Sequence, residues 1–113
     1  MKTIIAGSRE ITDIDTVVDA IEASKFKITE VVSGAARGVD TIAIMYAYAA
    51  QIPLKKFPAD WSIGRSAGFI RNEQMAQYAE ALIAIWNGSS PGTAHMIKMA
   101  QKYKLKIYIH KAT

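Results

Sequence analysis

Residues 28–50, ITEVVSGAARGVDTIAIMYAYAA, contain the pattern that decides the fold. The segment begins with an apolar run and ends with a stripe from Ile42 to Ala49, in which apolar or small side chains recur at positions i, i+3, i+4 and i+7. Between them lies the loop SGAARGVD, residues 33–40, with two glycines and an arginine. A buried strand that leads through such a loop into a helix is typical of a parallel βαβ unit.

The same alternation of strands and helices extends along the whole chain. Five short apolar segments predict strands, at residues 3–7, 28–33, 54–58, 81–86 and 105–110. Helical stripes separate them and predict four helices, of which the third and fourth have the weaker stripes. We expect Asp13, Asp40 and Thr93 to cap the first, second and fourth helices, because each offers a side-chain oxygen to the first free N–H groups.

Strands that are apolar almost throughout and that alternate with helices predict a parallel sheet covered on both faces. The expected fold class is therefore α/β, a Rossmann-like three-layer α/β/α sandwich with a five-stranded parallel sheet. Right-handed crossover connections favour the strand order 3-2-1-4-5 or a close relative of it. With 113 residues, 50% of them hydrophobic, the chain should form one domain over residues 1–113.

Composition excludes several classes of protein. The chain has no cysteine, and His95 and His110 lack the spacing of metal ligands, so we expect neither a protein-bound metal nor a cofactor. No run of 18 apolar residues is present, and the N-terminal sequence MKTIIAGSRE does not match a signal peptide. We therefore expect a cytoplasmic protein without a membrane partner.

The positive charge is distributed unevenly. The net charge is +4, and the four arginines lie close to glycines and follow predicted strands, whereas several lysines lie near strand starts. The carboxyl ends of parallel strands meet at one edge of the sheet, where ligands bind. Because a guanidinium suits bidentate contact with phosphate or carboxylate, the arginines predict an anion site at this edge. The alternative is a chance placement. The four arginines are Arg9, Arg37, Arg65 and Arg71.

Three glycine-containing loops support the same prediction. They comprise residues 6–9 (AGSR), 33–40 (SGAARGVD) and 87–93 (NGSSPGT), and each joins a predicted strand to a helix. Free N–H groups and the helix dipole make such a helix start favourable for phosphate, and glycine permits close approach. A turn between strand and helix also favours glycine for conformational reasons alone, which remains the alternative for each loop.

Familiar nucleotide motifs are absent from the sequence. No loop has the G-x-G-x-x-G spacing of a dinucleotide fingerprint, and none has the G-x-x-x-x-G-K-[ST] pattern of a P-loop. The G-x-S-x-G elbow of α/β-hydrolases is also missing.

Five motifs in order do resemble a known family. GSR, SGAARGVD, PADW, AGFIRNEQM and GSSPGTAHMI are similar to the SLOG superfamily, in particular to its small stand-alone branch related to bacterial YspA and YpsA. The resemblance covers residues 1 to about 109. It implies a Rossmann-like fold and a nucleotide-type ligand, since the superfamily includes the LOG phosphoribohydrolases, the DNA-processing protein DprA and sensor domains thought to bind nucleotides or ADP-ribose-like signals.

The resemblance also points to one catalytic candidate. In LOG enzymes an arginine in R-K-x-x-M and a glutamate in P-G-G-x-G-T-x-x-E act together on the N-glycosidic bond. Arg71 matches the arginine in the segment RNEQM, with Asn72 in place of the lysine, but Met96 stands where the glutamate would be. A thioether cannot transfer a proton or stabilise an oxocarbenium ion, so the LOG mechanism does not carry over intact. Asp40, Asp60 and Glu73 are the carboxylates that could substitute.

These arguments define the expected ligand site, with Trp61 in a long loop as a plane for stacking on a base. A core or interface role for Trp61 and capping roles for Ser89 and Thr93 are the alternatives. The residues expected to bind ligand or phosphate are Gly7, Ser8, Arg9, Gly34, Arg37, Gly38, Asp40, Asp60, Trp61, Arg71, Asn72, Gly88, Ser89, Gly92 and Thr93.

Three functions follow, in decreasing order of support. The first is a module that binds a nucleotide or an ADP-ribose-like ligand, as a sensor or to sequester it. The second is LOG-like hydrolysis of nucleotide N-glycosidic bonds, and the third is DprA-like binding of single-stranded DNA. We therefore do not expect nucleic acid as the partner. The surplus of apolar and small residues on the helices predicts self-association, and the resemblance implies a homodimer or homotetramer.

Overall fold

A computed structural model describes residues 1–112, in which five strands alternate with four α-helices. One turn of 3₁₀ helix, Trp61–Ile63, precedes the third α-helix. In chain order the elements are β1 (Lys2–Gly7), α1 (Ile14–Ser24), β2 (Glu30–Ser33), α2 (Val39–Ala49), β3 (Leu54–Lys56), α3 (Ala67–Tyr78), β4 (Ala81–Trp86), α4 (Pro91–Lys102) and β5 (Lys106–Lys111).

The strands form one parallel sheet in the order β3-β2-β1-β4-β5. Side chains alternate between its two faces, so that Ile4 and Leu82 pack with α3 and α4, whereas Ile5 and Ile83 pack with α1 and α2. The predicted α/β/α sandwich and its strand order are confirmed. Within the described residues, no helix is long and apolar enough to span a membrane.

Two of the three predicted helix caps are wrong. Asp13 accepts a hydrogen bond from the N–H of Asp15, as expected for the cap of α1. Asp40 instead lies in the first turn of α2, because Gly38 is the N-cap residue, and its carboxylate accepts from the N–H of Ala36. Thr93 is the third residue of α4, since Pro91 starts that helix, and its hydroxyl donates to Ser90 Oγ.

Some element ends differ from the predicted ones. β3 stops at Lys56 rather than residue 58, because Pro58 has no N–H to donate to the sheet. The stripe that predicted the third helix runs through Met75, Tyr78, Ala79 and Leu82, and its last member overlaps the predicted strand at 81–86. In the structure α3 begins earlier, at Ala67, and ends at Tyr78, and Leu82 belongs to β4.

The end of β1 is tightly packed between β4 and α2. A Cβ atom on Gly7 would lie 2.2 Å from the carbonyl oxygen of Ile85 and 2.6 Å from Cγ2 of Val39. Real Cβ atoms do not approach this closely, so only glycine fits at this position. The close packing brings the loops after β1 and β4 and the start of α2 to one edge of the sheet.

Gly7→Ala should therefore destabilise the fold by about 3 kcal/mol, the upper range for overpacking of a core. Gly92→Ala is the matched control, because a Cβ there meets nothing within 4 Å and Gly92 lies in the first turn of α4. Gly92→Ala should change the free energy of unfolding by less than about 1 kcal/mol. Urea unfolding followed by circular dichroism measures both, and equal stabilities of the two variants would contradict the packing argument.

Candidate functional site

A cleft of about 460 Å³ opens at the carboxyl edge of the sheet, and we call it the main cleft. Its walls come from the loops after β1 and β4, from the starts of α2 and α4, and from α3 with the loop before it. This is the edge where ligands bind to open α/β sheets. The predicted site residues that line the main cleft are Gly7, Arg9, Asp40, Trp61, Arg71, Asn72, Ser89, Gly92 and Thr93.

A second depression of about 260 Å³ adjoins it, and we call it the side cleft. It is formed by the loop after β2 and by Pro58 and Ala59 beyond β3. Gly34 and Arg37, which the sequence placed in one common site, line the side cleft only. Arg9 and Arg71 line both.

Arg71 is partly buried and held by several hydrogen bonds. Its Nη1 donates to the carbonyl oxygens of Gly34 at 2.6 Å and Phe57 at 3.5 Å, and its Nε donates to Asn72 Oδ1 at 3.0 Å. A Cβ on Gly34 would lie 2.4 Å from Nη1, so glycine at this position makes room for the guanidinium. Burial lowers the pKa of Arg71 and the nearby carboxylate of Asp40 raises it, yet an arginine side chain remains charged in any case. The result is a fixed cation in the wall of the site.

Asp40 is buried beside this cation, with 6% of its surface exposed. Burial raises the pKa of Asp40 to about 6, although the N–H of Ala36 and the charges of Arg71 and Arg9 oppose the rise. Its Oδ2 accepts from the Ala36 N–H at 3.2 Å. The carboxyl therefore changes charge near neutral pH, within a site that contains arginines.

Asn72 links α3 to the start of α4. Its Oδ1 accepts from Arg71 Nε, and its Nδ2 donates to the carbonyl oxygen of Gly92 at 3.2 Å and lies 3.1 Å from Nδ1 of His95. Burial, with the charge of Lys98, lowers the pKa of His95, which favours the neutral ring. Asn72 thus positions Arg71 against the helix start.

The loop before α4 is ordered by Asn87. Its Oδ1 accepts from the N–H groups of Ser89 and Ser90, each at 2.9 Å, and its own N–H donates to Ser8 Oγ at 3.2 Å. Ser90 is the N-cap residue of α4 but makes no side-chain capping bond. Because Gly92 and Thr93 line the main cleft, the first turn of α4 offers N–H groups to an anion there.

Two exposed aromatic rings lie at the main cleft. Trp61 is 55% exposed and lies against α3 at Gly68, where a Cβ would be 3.3 Å from the ring. The guanidinium carbon of Arg9 lies 6.0 Å from the Trp61 ring centroid. Phe69 is 50% exposed and stacks on His95 with ring centroids 4.2 Å apart. These rings offer apolar faces for a planar ligand group.

Four predicted site residues line neither cleft. Ser8 is fully buried. Gly38 has φ of 73° and packs against the carbonyl of Arg9. A Cβ on Gly38 would lie 2.5 Å from that carbonyl oxygen. Asp60 accepts from the N–H and hydroxyl of Ser62 and so caps the 3₁₀ turn. Gly88 occupies a turn with φ of 88°. In this structure each has a local structural role.

The sequence reasoning missed several residues that line the main cleft. Glu10 brings a second carboxylate, and Gly68 provides the surface for Trp61. Arg65 had been recognised as a rim arginine without being assigned to the site. Asn87 could have been found from the run NGSSP, since asparagine often orders the backbone two residues ahead of it. Nothing in the sequence indicated Gly68.

Catalytic groups are few in the main cleft. The buried side chain of Met96, which the sequence resemblance aligns with the LOG glutamate, lines it. Asp40, Asp60 and Glu73 were considered as substitutes for the LOG glutamate, and of these Asp40 alone lines the cleft. Glu73 accepts hydrogen bonds from Lys102 and Tyr103, and Asp60 caps the 3₁₀ turn. Residues 1–112 contain no group of three His, Cys, Asp or Glu side chains that could hold a metal ion.

Comparison with solved structures supports the fold. DNA processing protein A (DprA) from Streptococcus pneumoniae superposes with a TM-score of 0.81 at 16% identity, over 99% of this chain and 50% of that one. DNA processing protein A from Helicobacter pylori, described for its single-stranded DNA binding mode, gives 0.66 at 21% identity, over 96% and 64% of the two chains. This chain thus spans half to two thirds of these neighbours. Among curated proteins, none matches the sequence.

These neighbours correct one prediction. We did not expect nucleic acid as a partner, and the comparison contradicts this prediction: the Helicobacter pylori neighbour, which has the same fold, is described for its single-stranded DNA binding mode.

Family assignment rests on the sequence. The model of the YspA and cpYpsA-related SLOG family (YAcAr) matches residues 1–64, which include β1, the loop after β2 with Gly34 and Arg37, and Trp61. The resemblance seen in the ordered motifs is confirmed, and the chain belongs to the YspA and cpYpsA-related SLOG family.

Proposed function

We propose that this protein binds a nucleotide or a nucleotide-derived, ADP-ribose-like ligand at the main cleft, as a sensor or a sequestering module. The observation that carries the proposal is the guanidinium of Arg71, which two backbone carbonyls and Asn72 hold in the wall of the cleft. A partly buried cation that is fixed in this way favours the binding of an anion, because its position requires no rearrangement on binding.

The phosphate would lie between Arg71 and the start of α4. Asn72 connects the two by hydrogen bonds to Arg71 and to the carbonyl of Gly92, so a guanidinium and a helix N-terminus border one space. Arg9 adds charge at the rim, since its side chain is exposed and lines the same cleft. Each of these groups favours phosphate, and together they favour it more strongly than any one alone.

The base would contact the aromatic rings. Trp61 is half exposed in the free protein and already lies against α3 at Gly68, so a ring could stack on it with little rearrangement. Met75 and Met96 provide the apolar floor.

Single-stranded DNA is the second candidate. Stacking on exposed aromatic rings beside arginines is how proteins bind single strands without reading their sequence, and Trp61, Phe69 and Arg9 offer this combination. The structural neighbour from Helicobacter pylori, which is described for its single-stranded DNA binding mode, is a second reason to test single strands as ligands. Hydrolysis has less support, because Met96 lies where the LOG enzymes have a glutamate.

Self-association remains a prediction. Met45 and Tyr48 on α2 are 51% and 69% exposed, and Ile109 on β5 is 45% exposed. We expect a dimer or tetramer in sedimentation equilibrium at micromolar concentration, and Tyr48→Lys should weaken it if α2 forms the contact. A wild-type monomer under these conditions would contradict the expectation.

Thermal stability tests the binding proposal directly. A ligand at 100 times its Kd should stabilise the folded protein by about 2.7 kcal/mol. Wild-type protein is screened against nucleoside monophosphates, ADP-ribose and an oligo-dT strand at two salt concentrations. Arg71→Ala should lower the affinity for the best ligand at least about tenfold.

Arg71 also makes structural hydrogen bonds, so a loss of binding in Arg71→Ala could come from a change in the fold. A second variant separates the two effects. Arg9→Ala removes an exposed charge of the same cleft and should weaken binding without lowering the melting temperature. Lys106→Ala, at the opposite edge of the sheet, is the control for charge alone. If no nucleotide or strand shifts the melting temperature, the proposed function is wrong.

The carboxyl of Asp40 predicts a pH dependence. Its pKa is raised from 3.8 to about 6, so this group favours the folded state most below about pH 4 and loses that contribution as the pH rises through 6. Asp40→Asn should therefore raise the stability at pH 8, by an amount on the order of 3 kcal/mol, and have little effect at pH 4.

The same titration should affect the binding of anions. Protonation of Asp40 makes the cleft more positive, so affinity should rise as the pH falls through about 6. Calorimetry with ADP-ribose avoids the second phosphate ionisation of a monophosphate near this pH. Asp40→Asn should flatten the profile, whereas the control His95→Gln should keep it. A wild-type profile that is flat from pH 5 to 8 would refute this role of Asp40.

A further inference from the structure

We propose that the main cleft and the side cleft form one bipartite site, which takes the two phosphate-bearing parts of a single ligand on either side of Arg9 and Trp61. The chemical class is a nucleotide extended through its phosphate: a nucleoside diphosphate carrying a second group, or two adjacent nucleotides. The inference rests on the proposed function, because it assumes an anion in the main cleft.

The two clefts share a wall. Arg9, Ala36, Trp61 and Arg71 line both. The guanidinium of Arg9 lies over the Trp61 ring, 6.0 Å from its centroid. A ligand that extends from one cleft into the other would pass this pair and would meet both Arg9 and Arg71.

The side cleft is suited to an anion by its charges. Arg9, Arg37 and Arg71 line it, and none of its lining residues is acidic. The main cleft, in contrast, is lined by both Glu10 and Asp40 in addition to arginines. A second phosphate in the side cleft would thus be bordered by three arginines and by no lining carboxylate; the Asp40 carboxylate lies one hydrogen bond away, on the N–H of Ala36.

The side cleft is also preformed. Ala35 has φ of 60°, in the left-handed region that residues other than glycine seldom adopt. The loop is held there because the N–H of Ala35 donates to Ser33 Oγ and the N–H of Ala36 donates to Asp40 Oδ2, each at 3.2 Å. A strained backbone conformation that the surrounding contacts maintain is characteristic of ligand-binding loops.

One ligand explains the arrangement better than two independent ones. The guanidinium of Arg71 is held in one position by its hydrogen bonds to the carbonyls of Gly34 and Phe57. It cannot move to serve a second anion separately. Two separate anions would compete for Arg71 and would each lose their own translational freedom, whereas the second of two covalently linked groups binds at a high effective concentration. The same reasoning applies to adjacent phosphates of a single strand.

A matched pair of variants tests the proposal. Arg37 lines only the side cleft and Arg65 lines only the main cleft, and both side chains are exposed. Calorimetry measures the binding of AMP, ADP-ribose and an oligo-dT 10-mer to the wild type, to Arg37→Ala and to Arg65→Ala. Lys106→Ala is the charge control, and unchanged melting temperatures show that the variants are folded.

The proposal predicts a distinct pattern. ADP-ribose or the 10-mer should bind the wild type about tenfold more tightly than AMP does, a difference of about 1.4 kcal/mol. Arg37→Ala should remove this advantage and leave AMP binding within about twofold, because AMP occupies only the main cleft. Arg65→Ala should weaken all bound ligands alike. An effect of Arg37→Ala on ADP-ribose identifies a small molecule as the source, and an effect on the 10-mer alone identifies a single strand.

Failure of the inference can be distinguished from failure of the proposed function. If AMP binds but Arg37→Ala changes the affinity for neither longer ligand, or weakens AMP just as much, the bipartite site is refuted and the main cleft stands. If the wild type binds none of the three probes, the proposed function is refuted and the inference falls with it.

Discussion

The hydrogen bond from Arg71 to the carbonyl of Gly34 is the interaction on which the candidate site depends. It connects α3, on one face of the sheet, to the loop after β2, whose helix packs on the other face. The guanidinium can cross the end of the sheet only because Gly34 has no side chain. Once Arg71 lies there, it separates and lines both clefts, and its charge helps to oppose the rise in the pKa of Asp40.

The fold could be predicted from the sequence because its determinants are local and repeated. Strand runs such as ALIAIW and the stripe of α1 each indicate their element alone, and chain connectivity restricts the order of the strands. Helix starts were harder to predict. Asp40 and Thr93 have the residue types of caps, but α2 begins directly after Gly38 and α4 begins at Pro91, so the side-chain oxygens of Asp40 and Thr93 bond elsewhere.

The candidate site could be predicted only in part. The rim position of Arg9 follows from the rule that the carboxyl ends of parallel strands share an edge, which needs no knowledge of packing. The presence of two clefts could not be foreseen, because the wall that they share includes Trp61, which lies against Gly68 through a contact between a loop and a helix without a local sequence signal. Ser8 and Gly38 were predicted to bind the ligand, but each contacts a neighbouring loop instead. The composition of a loop does not show whether a residue faces a ligand or another loop.

The contact between the loops after β1 and β4 has a consequence for the thermodynamics of recognition. Ser8 accepts from the N–H of Asn87, and Asn87 in turn orders the backbone ahead of α4. These two loops, which border the main cleft, are therefore held by hydrogen bonds before any ligand arrives. Association then costs little conformational entropy on the side of the protein, so affinity is determined mainly by the contacts formed and by the solvent released.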